Sequence, residues 1–290
     1  MAQATAADTD RGLTPLPDPP ELPAGADPYP RWPAWFGAAG FTIGAGAGIV
    51  GALLLLPAFF IVTSGFDVDP DDALPVLELV ATFFQDLGWV IGAVVLAATI
   101  RKPEAWQFGF RRPRLGPALG WSVIAILAYI GLTLLYTLIL QPESGEPIET
   151  GDRYGTLIGS CVIIIVVAPL AEEIFFRGFL YRILRGRLGL WPAVVINGSL
   201  FGAVHLASGG PLAVAVIAPL GFLLCLVYER SGSLYPCIAL HALNNAIVSA
   251  AEFDRVSGIA LLMGAAMLLF CLVGGLASRV KPEPRVRMVA

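Results

Sequence analysis

Charge is what this sequence has least of. Charged residues make up 14% of the 290 positions, against roughly 25% in an ordinary soluble domain, and they are confined to short segments between apolar runs. That shortage excludes a soluble helical protein of this size. Histidine is scarcer still, with two in the chain. The four cysteines, Cys161, Cys225, Cys237 and Cys271, lie in apolar stretches with no CxxC spacing, which argues against a disulfide framework or a thiolate metal site. The HExxH spacing of a zinc helix is missing as well. No basic segment leads directly into a short apolar core at the amino terminus, so the first apolar run is expected to be a retained anchor rather than a cleaved signal. No polar linker divides the apolar part, which predicts one bundle. Nothing points to a nucleic-acid partner, and no cofactor is expected.

What the chain does contain is apolar length. Hydrophobic residues reach 57% and mean hydropathy is +0.76. Runs long enough for the roughly 20 residues that cross a hydrocarbon core fall at about 36–62, 74–100, 116–140, 157–180, 211–229 and 257–278. Two shorter runs, 190–207 and 233–250, are interrupted by Asn197, His205, His241, Asn244 and Asn245. Counting both predicts an all-α membrane bundle of about eight spans over 33–280. Residues 1–32 hold seven prolines and few large apolar groups, too little to offset the entropy of ordering, and are expected to form a disordered cytoplasmic tail. Residues 281–290 form a basic one. Glycines recur in the first span at Gly44, Gly46, Gly48 and Gly51, where small residues let membrane helices approach closely.

The polar residues inside these runs are the candidates for chemistry. The fourth run contains Pro169, Glu172, Glu173 and Arg177. Ionisable groups within a span are costly unless paired or facing a polar cavity, and so mark function by default. Glu173 and Arg177, four apart, share a helix face and can pair; Glu172 has no partner at that spacing. Pro169 removes a backbone donor beside the acids and predicts a local opening. His205 follows Phe201 by four residues, and His241 precedes Asn245 by four. Together these residues fit water-mediated hydrolysis, with Glu172 as proton acceptor and a histidine with Asn245 stabilising an oxyanion. They also fit metal binding through one carboxylate and two imidazoles. Gln85 and Asp86 in the second run suggest an auxiliary polar contact. Straight helices leave one difficulty. With the inner boundary near Arg177, Glu172 lies roughly 7 Å deep, while His205 lies roughly 20 Å along a helix starting near Pro192.

The order Glu172-Glu173-x-x-x-Arg177, Phe201-x-x-x-His205, His241-x-x-x-Asn245 resembles the three-part signature of the CAAX-processing and bacteriocin-immunity intramembrane proteases, the CPBP or Abi family, over about residues 155–250. The resemblance implies an intramembrane glutamic endopeptidase acting on peptides or membrane-protein segments in the lipid bilayer. It makes Glu172 the water-activating base, Glu173 and Arg177 its support, and His205, His241 and Asn245 the groups around water and scissile carbonyl, with no metal. A nonenzymatic immunity-type or scaffold protein, a metal-dependent protease and a transporter are the competing classes. The last predicts internal repeats, and the polar motifs do not recur in both halves.

Charge distribution predicts orientation. Arg101, Lys102, Arg111, Arg112 and Arg114 fall in one loop, Arg182, Arg185 and Arg187 in another, and Arg31, Arg230, Arg279, Lys281, Arg285 and Arg287 on the same side of an eight-span chain. The opposite loops carry Asp67, Asp69, Asp71, Asp72, Glu143, Glu146, Glu149, Asp152, Glu252 and Asp254. Positive-inside bias then places both termini in the cytoplasm of a bacterial inner or plasma membrane. A reporter fused after residue 148 is expected to read periplasmic and one after residue 105 cytoplasmic; both on one side would overturn the span order.

Overall fold

The computed structural model describes residues 32–65, 70–140 and 154–281. Within them eight helices form a polytopic membrane bundle without strands. They are α1 (Ala34–Gly65), α2 (Pro70–Ala98), α3 (Leu115–Leu140), α4 (Gly155–Leu188), α5 (Leu190–Ala203), α6 (Leu206–Ser231), α7 (Tyr235–Glu252) and α8 (Ser257–Ala277). Six of the eight contain segments long and apolar enough to cross a membrane; α5 and α7 are the two that do not. The expectations for residues 1–31, the carboxyl-terminal residues 282–290 and most of the first two acidic loops lie outside the described residues.

α4 is the axis of the bundle. Its first third packs on α7 and α8 through Leu157, Cys161, Ile165, Ala246 and Ala260. Its middle meets α2, where Trp89 stacks on Phe175 at 5.5 Å and meets Phe176 edge-on. Its last third packs beside the start of α1, through Trp32 and Phe179. Side chains facing lipid need no polar partner, so α1 and α3 expose leucine and isoleucine along most of their length.

Close approach of α1 to α2 explains the glycine pattern. Gly37, Gly40, Gly44, Gly48 and Gly51 form the buried face of α1, and a Cβ at Gly44 would overlap the Trp89 ring. α5 and α6 form an equally tight hairpin, in which Gly198 faces Phe222 without room for a Cβ.

Two elements depart from the hydropathy reading. α4 does not stop near residue 180; it runs on to Leu188. Arg182, Arg185 and Arg187 are therefore helical, because each finds an oxygen. Arg182 donates to the Gln107 carbonyl, Arg185 pairs with Glu229 at 2.9 Å and Arg187 reaches the Trp32 carbonyl at 2.9 Å. α5 has 14 residues, about 21 Å of helix, well short of a hydrocarbon core of about 30 Å. His205 consequently sits at the turn of the α5–α6 hairpin.

Basic residues expected to serve only as orientation signals also close one end of the bundle. Arg114 donates through Nε to the Arg230 carbonyl and through Nη2 to that of Glu229, the unsatisfied acceptors where α6 ends in Gly232 at φ +70°,. Leu234 donates to the carbonyl of Gly109, itself at φ +97°, and Ser233 Oγ donates to that of Arg111 at 2.6 Å. The 105–111 segment is thereby fixed against α4 and the start of α7.

The glycine contacts predict a graded result. Gly44→Ala and Gly198→Ala should each destabilise the protein by about 1–3 kcal/mol through overpacking, read as lower thermal midpoints in detergent. Gly46→Ala, where a Cβ meets nothing within 4 Å, should leave the midpoint unchanged. Equal midpoints in all three would contradict the close α1–α2 and α5–α6 packing.

Candidate functional site

Pro169 sets the local geometry of α4. The backbone widens to a π turn over Ile163–Val167, shown by the Ala168 N–H bonding back five residues to the Ile163 carbonyl. In that register the next donor would be residue 169 to the carbonyl of Ile164, but proline has no N–H. Asn245 Nδ2 on α7 donates to this freed carbonyl at 2.8 Å. The expected opening beside the acids is therefore present, and an asparagine from another helix satisfies it.

A second π turn covers Ile174–Leu180. Its Phe176 carbonyl accepts from the Tyr181 N–H and from Asn197 Nδ2 at 2.8 Å. Cys225 Sγ donates in turn to Asn197 Oδ1 at 3.2 Å, linking α4, α5 and α6. π turns recur at functional sites because they shift side chains out of ordinary helical phase; here two of them flank the Glu172–Glu173 pair.

Between them lies a buried charge cluster. Glu173 and Arg177 are both wholly buried, with Arg177 Nη1 to Glu173 Oε1 at 2.7 Å. Arg177 Nη2 donates to the Gly221 carbonyl on α6 at 3.1 Å, and its guanidinium lies 4.3 Å from the Phe201 ring centroid. His241 Nδ1 is 3.0 Å from the same Glu173 Oε1. An arginine-bound carboxylate only accepts, so Nδ1 carries the proton and the neutral ring presents Nε2 as acceptor. That Nε2 lies 3.8 Å from Glu172 Oε2, too far for a direct hydrogen bond. Glu172 is buried, and this Oε2 has no hydrogen-bond partner.

Glu172, Glu173, Arg177 and His241 are thus brought into one cluster. His205 joins it through Phe201, whose ring lies 5.5 Å from that of His241 and 5.3 Å from that of His205. His205 Nδ1 is 2.8 Å from the Phe201 carbonyl, which makes it the donor there too. The depth conflict between Glu172 and His205 came from placing the boundary at Arg177. With α4 continuing to Leu188, Glu172 lies 16 residues, and His205 15, from the Gly189 turn that joins α4 to α5, or about 24 and 22 Å.

Asn197 and the Gly221 carbonyl belong to this neighbourhood and were not distinguished by sequence. Asn197 read only as a polar interruption, and a backbone acceptor leaves no sequence signal. Asp86, noted faintly with Gln85, is wholly buried and interacts electrostatically with Glu172. Gln85 instead packs over Gly48 of α1. Among the described residues no group of three or more His, Cys, Asp or Glu side chains is arranged to hold a metal ion, so Glu172, His205 and His241 are not assembled as a ligand set.

The chain is 31% identical over 140 residues to the uncharacterized protein YyaK of Bacillus subtilis (strain 168), covering 44% of this chain and 46% of that protein. It is 30% identical over 128 residues to an uncharacterized 24.3 kDa protein of Escherichia coli, covering 42% of this chain and 58% of that one. The alignments thus span about half the length of these relatives. No solved structure matches. The segment containing α4 to α7, with the acids, both histidines and both structural asparagines, matches the family described as type II CAAX prenyl endopeptidase Rce1-like. Over residues 154–247, therefore, this chain carries an Rce1-like domain of the CPBP family.

Proposed function

We propose that the protein is an intramembrane endopeptidase that hydrolyses peptide bonds with water activated by Glu172. The observation carrying this reading is the 3.8 Å gap between Glu172 Oε2, buried without a hydrogen-bond partner, and His241 Nε2. A water about 2.8 Å from each atom fits beside that gap and bonds to both. Glu173 and Arg177 fix the imidazole so that its lone pair faces this position. Glu172 takes a proton as the water oxygen attacks a scissile carbonyl, then returns it to the leaving nitrogen. Asn245, with one amide hydrogen on the Ile164 carbonyl, has a second to offer the developing oxyanion. His205 is the further positioning group beyond Phe201. Because both histidines donate through Nδ1, their neutral forms accept at Nε2, which favours water positioning over oxyanion donation for His241.

The Rce1-like match favours a protease over a scaffold, and peptide segments within the bilayer are the proposed substrates. Both relatives are bacterial, which supports a plasma-membrane location with cytoplasmic termini. Water activation by a carboxylate requires no metal.

The test is cleavage of a peptide library by purified variants whose thermal unfolding matches wild type. Glu172→Gln keeps volume while removing the base and should lower kcat by roughly a hundredfold or more. Alanine at His241, His205 or Asn245 should lower it less severely. Wild-type rates in well-folded Glu172→Gln would reject the general-base role. Glu173→Gln and Arg177→Ala would strand a buried charge, at roughly 3–5 kcal/mol for a broken buried pair, and should fail in folding first. Activity should also survive chelation; bound zinc whose removal and return switches cleavage off and on would replace this mechanism with a metal-dependent one.

A further inference from the structure

Asp86 lies outside the Rce1-like segment and outside the cluster of direct contacts, yet its environment is the harder to explain. The side chain is wholly buried, and neither carboxyl oxygen has a hydrogen-bond partner. α2 packs against the 168–173 stretch of α4. Trp89, three residues on and on the same face, is fixed between Phe175 and Phe176, which sets the rotation of α2. The carboxyl group that acts on Asp86 is that of Glu172, whose Oε2 is also without a hydrogen-bond partner.

No compensating cation faces this pair. α1, packed along α2, has no ionisable side chain between Ala34 and Gly65. On α4, Arg177 is committed to Glu173 and Gly221, and His241 on α7 directs Nδ1 at Glu173. On α2 itself the acidic neighbour is Glu78, two turns earlier. Two carboxylates in a dry interior without a cation repel and are both desolvated, and a shared proton relieves both penalties at once.

We propose that Asp86 and Glu172 hold one proton between them, making Asp86 a positioning residue that keeps Glu172 aimed at its water. The catalytic part rests on the hydrolytic reading above; the shared proton does not. The pair exists before substrate arrives. During turnover Glu172 gains the proton of water and passes it to the leaving nitrogen, while the proton held with Asp86 stays in place, so the cycle balances.

The test begins on the intact wild-type protein in detergent. Aspartate labelled with carbon-13 at the side-chain carboxyl should give an isotope-shifted infrared band of a protonated carboxyl group at neutral pH. Asp86 is the source, since the other aspartates lie in polar segments between or outside the apolar runs. The band should vanish in Asp86→Asn and change frequency in Glu172→Gln. No such band in labelled wild type, or one unchanged in Glu172→Gln, overturns the proposal without requiring any Asp86 variant to fold. In the peptide-library assay, Asp86→Ala should lower kcat roughly a hundredfold through misplacement of Glu172 with KM unchanged, and Asp86→Asn should restore part of it. A folded Asp86→Ala protein with wild-type kcat also overturns it. Glu172→Gln cleaving at the original rate while the band persists would reject the hydrolytic reading and leave the shared proton standing.

Discussion

Glu173 Oε1 receives both Arg177 and His241, and Arg177 continues to a backbone carbonyl on α6. Three helices are tied at a point with no exposure to solvent. In the apolar interior a charge left without its partner costs several kcal/mol, so the helices are constrained to bring these groups together. Neighbouring features follow from that constraint. Gly198 and Gly221 let α5 and α6 come close enough for the Gly221 carbonyl to reach Arg177. Phe201 lies against the guanidinium and both imidazoles. Glu172, one residue away, is left without a strong partner because its neighbour has taken them.

The bundle was legible in sequence wherever physics acts through composition. Apolar runs gave eight helices, and two of them, α5 and α7, were marked as exceptional by Asn197, His205, His241 and Asn245. The Glu173–Arg177 pair followed from helical spacing, and Pro169 correctly indicated a broken turn. Helix length failed where charge was taken as a boundary: Arg182, Arg185 and Arg187 are helical because Gln107, Glu229 and Trp32 supply acceptors. Those acceptors come from distant parts of the chain, and no local pattern announces them. The same holds for Asn245, whose bond to Ile164 depends on a carbonyl that becomes free only in a π register.

The two ends of the site are held by different means. Toward the end carrying the Arg185–Glu229 pair, the 105–111 segment, Arg114 and Ser233 join α4, α6 and α7 by backbone hydrogen bonds. Toward the other, the short α5 ends at the His205 turn, and Gly210 breaks α6 at φ +66°. Rigid attachment on one side and an interrupted hairpin on the other give the buried acids one firmly built wall and one wall of irregular backbone. Irregular backbone at membrane depth is tolerated where protein or a cavity covers it.

The paired π turns have a consequence for how this helix tolerates change in length. Each such turn accommodates an additional residue relative to the α turn it replaces, so deleting one residue from Ile163–Val167 would restore regular winding while rotating all that follows by about 100°. Glu172 would then swing away from His241, with Glu173 and Arg177 carried round as a unit. A deletion that improves the helix as a helix would dismantle the site, whereas the same deletion in the lipid-facing length of α3 would chiefly shorten it. The two widened turns therefore act as a phase setting, written into chain length, for the six residues between them.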